Sequence, residues 1–372
     1  MCVMLKSQRS RVANESMMVM LSRLLLARSE AGKALMLPAP NELAGISHDD
    51  FDSLVALASS NHVVVRGLEI VSGILLAAHE RGRADWAAAA VEAERARIAK
   101  AVERLGAICS AFDREGLDVT VIKSLDHWPD LGNDLDLYTN ASGARVCELM
   151  RRRFGAKIAP RSWGDRLASK WNFNLPGLPE AVEVHAGRLG QTGEHVGFAS
   201  RIPARARMVE RGGRGFRVAS PTDRLMVSTL QRMYRHFYFR LCDIVDSAEL
   251  IASGAVDYDD LQRTAQHAGI WEGVATYLVI VSDYVRQYRG KDLGLPAMVT
   301  RSARFGGSLV YFSGDFLRIP ILPQSAGLYR MQLAEMLRRR ELHSSARLGL
   351  LPWLATAAAV GQKITGSDKG IW

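Results

Sequence analysis

A chain of 372 residues, 48% apolar and 23% charged, is long enough to bury a large core and to form more than one compact unit. That balance excludes a collagen, a coiled coil and extended disorder. Lysine and arginine exceed aspartate and glutamate to give a net charge of +9. The surplus favours polyanionic partners such as nucleotide phosphates, nucleic acid or an anionic membrane face, and it also suits an Arg-rich protein charged only for solubility.

The first 85 residues read as helical, with Leu54, Leu57 and Ala58 on one face and Leu68, Val71, Leu75 and Leu76 on another. The apolar stretch Met17–Ala27 is short and carries Arg23, so it is no secretory signal. From Trp86 to Glu115 the residues Val91, Ile98, Val102, Leu105, Cys109 and Phe112 form one stripe of a long helix, closed by Gly116. The period then changes. Leu117–Lys123 is β-branched and short, Asp134–Tyr138 alternates strictly, and both predict strands.

A helix over Ser142–Phe154 ends at Gly155, and strands follow at Trp171–Leu175 and Ala181–His185. From Pro221 the pattern is helical again, in segments around Leu225–Met233, Leu241–Ile251, Leu261–Ala268 and Trp271–Tyr288, while 290–323 reads as loop. The expected fold class is α+β: a small mixed-sheet core over 86–218, flanked by an N-terminal helical region (1–85) and a C-terminal one (219–372). The scattered Cys2, Cys109, Cys147 and Cys242 predict neither disulfide nor zinc site and fit a reducing cytoplasm, with Cys109 and Cys147 in the core. The apolar run Leu348–Val360 is too short to span a bilayer, which needs about 20 residues. Following Arg338, Arg339, Arg340 and Arg347, it is expected to be a buried helix, or else a segment lying on an anionic membrane surface.

Strand alternation puts Asp134 and Asp136 on one face, roughly 7 Å apart along the backbone, with Leu135 and Leu137 behind them. VEVH repeats the arrangement: Glu183 and His185 share a face and Val182 and Val184 are inward. Three carboxylates from neighbouring strands make an oxygen-rich site suited to Mg²⁺. Glu180, at the strand entrance after Pro179, is expected to be exposed and outside that site. Asp126 and Asp130 read as turn or capping residues. His127 and Trp128 either face an incoming base or acceptor or anchor their loop. The basic-aromatic stretch Arg232–Arg240 (RMYRHFYFR) suits either a cleft lining or helix packing.

Taken together, GLDVTVIKS (116–124), NDLDLY (133–138), VEVH (182–185) and SPTDRLMVSTLQRMYRH (220–236) resemble the uncharacterised nucleotidyltransferases of the polymerase-β-like nucleotidyltransferase superfamily. The resemblance spans roughly residues 50–285 and implies a nucleotidyltransferase core that moves NMP from an NTP to an acceptor, releasing pyrophosphate. It implies Asp134, Asp136 and Glu183 as catalytic residues holding two Mg²⁺ ions, with Lys123, Ser124 and His185 beside the nucleotide. Ser124 stands where the superfamily has glycine, and no arginine precedes the acidic pair. A catalytically degenerate binding or regulatory protein on the same fold, with or without membrane-surface contact, is the alternative. The acceptor is open among small molecule, peptide and protein; nucleic acid is compatible with the charge but not indicated.

Overall fold

The computed structural model describes residues 2–27 and 37–357, with side chains from residue 14 onward. Helices α1 (Cys2–Leu26), α2 (His48–Ser60), α3 (Val64–Ala77) and the long α4 (Arg81–Arg114) form the N-terminal part. The stripe on α4 is buried as its period requires, with one shift: Ile108 is fully buried and Cys109 only half-buried. Leu76 on α3 likewise faces solvent, while Leu68, Val71 and Leu75 are buried.

Seven strands follow: β1 (Thr120–Val121), β2 (Asp134–Thr139), β3 (Lys157–Ile158), β4 (Lys170–Asn174), β5 (Ala181–Ala186), β6 (Arg207–Arg211) and β7 (Arg214–Val218). They make one mixed sheet in the order β3-β4-β5-β2-β1-β7-β6. The central pair β2 and β5 is parallel, with Asp136 opposite Glu183; β1 runs antiparallel to β2 and β4 antiparallel to β5. The expected strand at Leu117–Lys123 contributes only Thr120 and Val121 to the ladder, because a sharp turn at Lys123 takes the chain away. The β6–β7 hairpin is additional to the sequence reading. Its turn, Gly212-Gly213, has both φ values positive (54° and 69°), a conformation only glycine adopts without strain. Helix α5 (Gly143–Phe154) lies between β2 and β3, capped by the Ser142 hydroxyl and closed by Gly155 in the left-handed conformation.

The C-terminal part holds α6 (Pro221–Gln231), α7 (Leu241–Ala252), α8 (Tyr258–His267) and α9 (Trp271–Arg289). After α6 the chain continues as one π-helical stretch, Arg232–His236, into β8 (Tyr238–Phe239). Residues 290–323, expected as loop, contain β9 (Tyr311–Ser313) and β10 (Phe316–Arg318), which join β8 in a small second sheet. The two helical regions also touch one another. Ser22 on α1 shares a hydrogen bond of 2.8 Å with Tyr284 on α9, and buried Asn61 accepts from the Leu241 N–H. One continuous apolar core therefore runs from Met17 to Leu328. No helix among the described residues is long and apolar enough to cross a membrane. Of the apolar run Leu348–Val360, Leu348 is buried but Leu350 and Trp353 are exposed, contrary to the expected buried helix; residues 358–360 lie outside the described part.

Candidate active site

The β2–β5 register is what assembles the site. Apolar Leu135, Leu137, Val182 and Val184 are each fully buried and fix the pleat, so Asp136 and Glu183 emerge side by side on the other face. Asp134, two residues earlier on that face, is exposed at the strand end. Ligand atoms of Asp136, Glu183 and His185 lie within 4.8 Å of one another. Around the carboxylates is a cavity of about 250 Å³, lined on the sheet side by Lys123, Ser124, Asp134, Asp136, Lys170 and Glu183. Its other wall is the Arg232–Arg240 stretch, which supplies Arg232, Arg235, His236, Tyr238 and Arg240. Those arginines differ. Arg232 is buried against Asp243 at 2.7 Å, whereas the guanidinium groups of Arg235 and Arg240 have no carboxylate partner among the described residues, Arg240 meeting Asp243 only through its backbone N–H.

Two ammonium groups neutralise the carboxylates. Lys123 Nζ ion-pairs with Asp136 Oδ1 and lies 3.7 Å from Glu183 Oε1. Lys170 Nζ sits 3.0 Å from both Glu183 Oε2 and Asp165 Oδ1. His185 Nε2 is 2.8 Å from Glu183 Oε1. A carboxylate can only accept, so Nε2 carries the proton and Nδ1 is left bare. Burial raises Asp136 to about 7 against the pull of Lys123, helped by Glu183 and Asp134 nearby. Burial acts the same way on Glu183, but Lys123, His185 and Lys170 outweigh it and hold that carboxyl well below its usual range. Desolvation, only partly offset by Glu183, lowers His185 to about 4.

Lys123 has φ 65° and ψ −58°, the positive-φ γ-turn that side chains rarely adopt, closed by Ser124 N–H to Ile122 C=O at 2.7 Å. The strained position is thus the lysine, not the serine that replaces glycine. The Ser124 hydroxyl is occupied within the protein: it accepts from Asp136 N–H (2.7 Å) and donates to Asp134 C=O (3.1 Å). Glu180 is buried and ion-paired with Arg97, contrary to the expected exposure, and does not reach the cavity. Lys170 and Asp165 escaped the sequence reading. Their link to Glu183 runs across the antiparallel β4–β5 register, which no local motif encodes.

A second buried polar group adjoins the first. His127 ion-pairs with Asp246 on α7, and Arg66 on α3 bridges Asp246 (2.6 Å) and Asp130 (2.9 Å). Asp130 also accepts from the Val65 and Arg66 N–H groups, so it caps α3 from outside the helix. Trp128 packs against the core beneath Arg211.

Comparison with models of known protein families and with curated proteins returns no match.

Proposed function

We propose that the protein is a metal-dependent nucleotidyltransferase, moving a nucleoside monophosphate from an NTP to an acceptor with release of pyrophosphate. The observation that carries this reading is the pairing of Asp136 with Glu183 across parallel strands, Asp134 on the same face, opposite a wall bearing Arg235 and Arg240. The donor set suits magnesium: oxygens of Asp136 and Glu183 converge, Asp134 stands outside that close group but borders the same cavity, and the cavity leaves room for water and phosphate. Magnesium ions held by Asp134, Asp136 and Glu183 would supply Lewis-acid activation of the acceptor hydroxyl and neutralise charge on the departing pyrophosphate. The acceptor oxygen bonds to the α-phosphorus as the bond to the pyrophosphate oxygen breaks, and the acceptor proton goes to Asp136. Arg235 and Arg240 bind the triphosphate, and the His185 N–H fixes the Glu183 carboxylate.

A regulatory binding protein on the same fold is the second reading, favoured by the Lys123 ammonium beside both Asp136 and Glu183. One experiment separates the two. NTPs labelled at the α-phosphate are incubated with Mg²⁺ and cell extract, and label transfer to any acceptor is followed. The enzyme reading expects transfer by the wild type and a loss of at least about a hundredfold in Asp136→Asn and Glu183→Gln. Undiminished transfer in both variants overturns it.

A further inference from the structure

We infer that Lys123 is a resident cation of the carboxylate site, competing with a divalent ion for Asp136 and Glu183 and leaving only when a polyanion draws it away. The competition stands on geometry alone; that the polyanion is a nucleotide rests on the function proposed above. An ion shared by Asp136 and Glu183 needs their oxygens at about 2.0–2.1 Å. The Lys123 ammonium, paired with Asp136 Oδ1 and 3.7 Å from Glu183 Oε1, already fills that position. A dication and an ammonium repel one another strongly at such range in a buried site. One of them must go.

Lys170 is not the one to move. It is held by Asp165 and Glu183 together, each at 3.0 Å, on a strand inside the sheet. Among the described residues Lys123 has no carboxylate partners but the two it would surrender, and it projects from a turn lining the cavity. Across the cavity, the guanidinium groups of Arg235 and Arg240, without carboxylate partners among the described residues, offer a phosphate chain its landing place, from which it can pair with the displaced ammonium. Metal and polyanion should therefore bind with positive coupling, each raising the affinity of the other by the same factor.

The test uses Mn²⁺ as probe, with free ion counted by electron paramagnetic resonance and no nucleotide present. Wild type should bind Mn²⁺ weakly. Lys123→Met, which keeps the stem and removes the charge, should bind at least about tenfold more tightly. Lys123→Gly also removes the charge, and the stem with it, while suiting φ 65°, so it guards against a variant that fails to fold. Adding Asp136→Asn to either variant should abolish the gain. The inference is overturned if wild type already binds Mn²⁺ as tightly as the variants, or if the gain survives Asp136→Asn. A separate arm adds ATP, GTP, CTP and UTP in turn to wild type, each read against a protein-free blank that removes chelation by the triphosphate itself; one of them should raise Mn²⁺ affinity for the protein at least tenfold. If none does while the lysine variants still gain, the competition stands and the nucleotide reading falls.

Discussion

Two buried charge clusters lie side by side in this molecule, and only one leaves carboxylate oxygens to spare. In the Arg66–Asp130–Asp246–His127 cluster both carboxylates are used up by the protein itself. Asp130 takes Val65 N–H, Arg66 N–H and the Arg66 guanidinium, and Asp246 takes Arg66 and His127. The space beside Asp246 is about 10 Å³, no more than one water's worth, and of the four residues only His127 borders the larger cavity. Across the loop, Asp134 has no side-chain partner among the described residues, Asp136 has only Lys123, and both face 250 Å³ of cavity. A cluster whose partners are all internal ties elements together. One left with spare acceptors and room has the capacity to take a ligand that is not part of the chain.

Breaking the closed cluster should therefore damage stability most. Arg66→Met leaves Asp130 and Asp246 buried with their shared cation gone, and about 3 kcal/mol of unfolding free energy should be lost. Asp136→Asn in the open site should stay within about 1 kcal/mol of wild type. Its carboxyl is pushed up to about 7 on folding, so its charge opposes the folded state at neutral pH and above. Urea titrations of the two variants at pH 7.5 make the comparison. Equal losses would erase the distinction between a closed and an open cluster.

A smaller effect sharpens the same contrast through pH. Burial lowers His127, but Cys242 and Asp246 more than offset it and raise the imidazole well above its ordinary 6.5. Burial raises Asp246, yet Arg66 and His127 bring it below 3.8. The raised histidine contributes stability that is complete below pH 6.5 and lost as pH climbs through its folded value. The lowered aspartate contributes stability that is complete above 3.8 and lost as pH falls through its folded value. The pair is thus worth most between those limits. His127→Gln keeps a donor towards Asp246 without the charge and should cost about 1.5 kcal/mol at pH 6. The gap between variant and wild type should narrow as pH rises above neutrality. A gap that stays constant from pH 6 to 10 would mean that His127 is held there neutral.

Much of this was legible wherever a rule acts over a few residues. The alternation of DLDLY and VEVH fixed both faces of β2 and β5, and Ser142 and Gly155 marked both ends of α5. The Gly212-Gly213 pair between Val209 and Phe216 carries a hairpin signal that the sequence reading did not use. What sequence pattern could not yield is long-range pairing. Glu180 reads as exposed because its partner Arg97 lies 83 residues away on α4, and nothing local marks Lys170 as a partner of Glu183, which it meets only through the folded sheet. The nucleotidyltransferase resemblance drew attention to Ser124 as the altered glycine. The backbone strain is one residue earlier, at Lys123.

The smallest effect concerns that serine and separates a structural hydroxyl from a phosphate-binding one. Beyond Val121 the β1–β2 ladder is nearly finished: Ile122 N–H still donates to Asp136 C=O, and then the Lys123 turn carries the backbone off. Asp136 N–H would be left without an acceptor, and the Ser124 hydroxyl takes it at 2.7 Å while donating to Asp134 C=O at 3.1 Å. That hydroxyl extends the sheet by one rung under the two aspartates. Ser124→Gly leaves the turn its space but strips both bonds. Water from the adjoining cavity can replace them in part, so the stability loss should be about 1 kcal/mol rather than the larger figure for sealed polar groups. Nucleotide affinity should stay within about threefold of wild type, because no bond to phosphate is removed. Ser124→Thr, which keeps the hydroxyl, should restore the stability. Urea midpoints and nucleotide titrations of the two variants test this. A glycine variant as stable as wild type that binds nucleotide tenfold more tightly would show instead that the serine obstructs the phosphates.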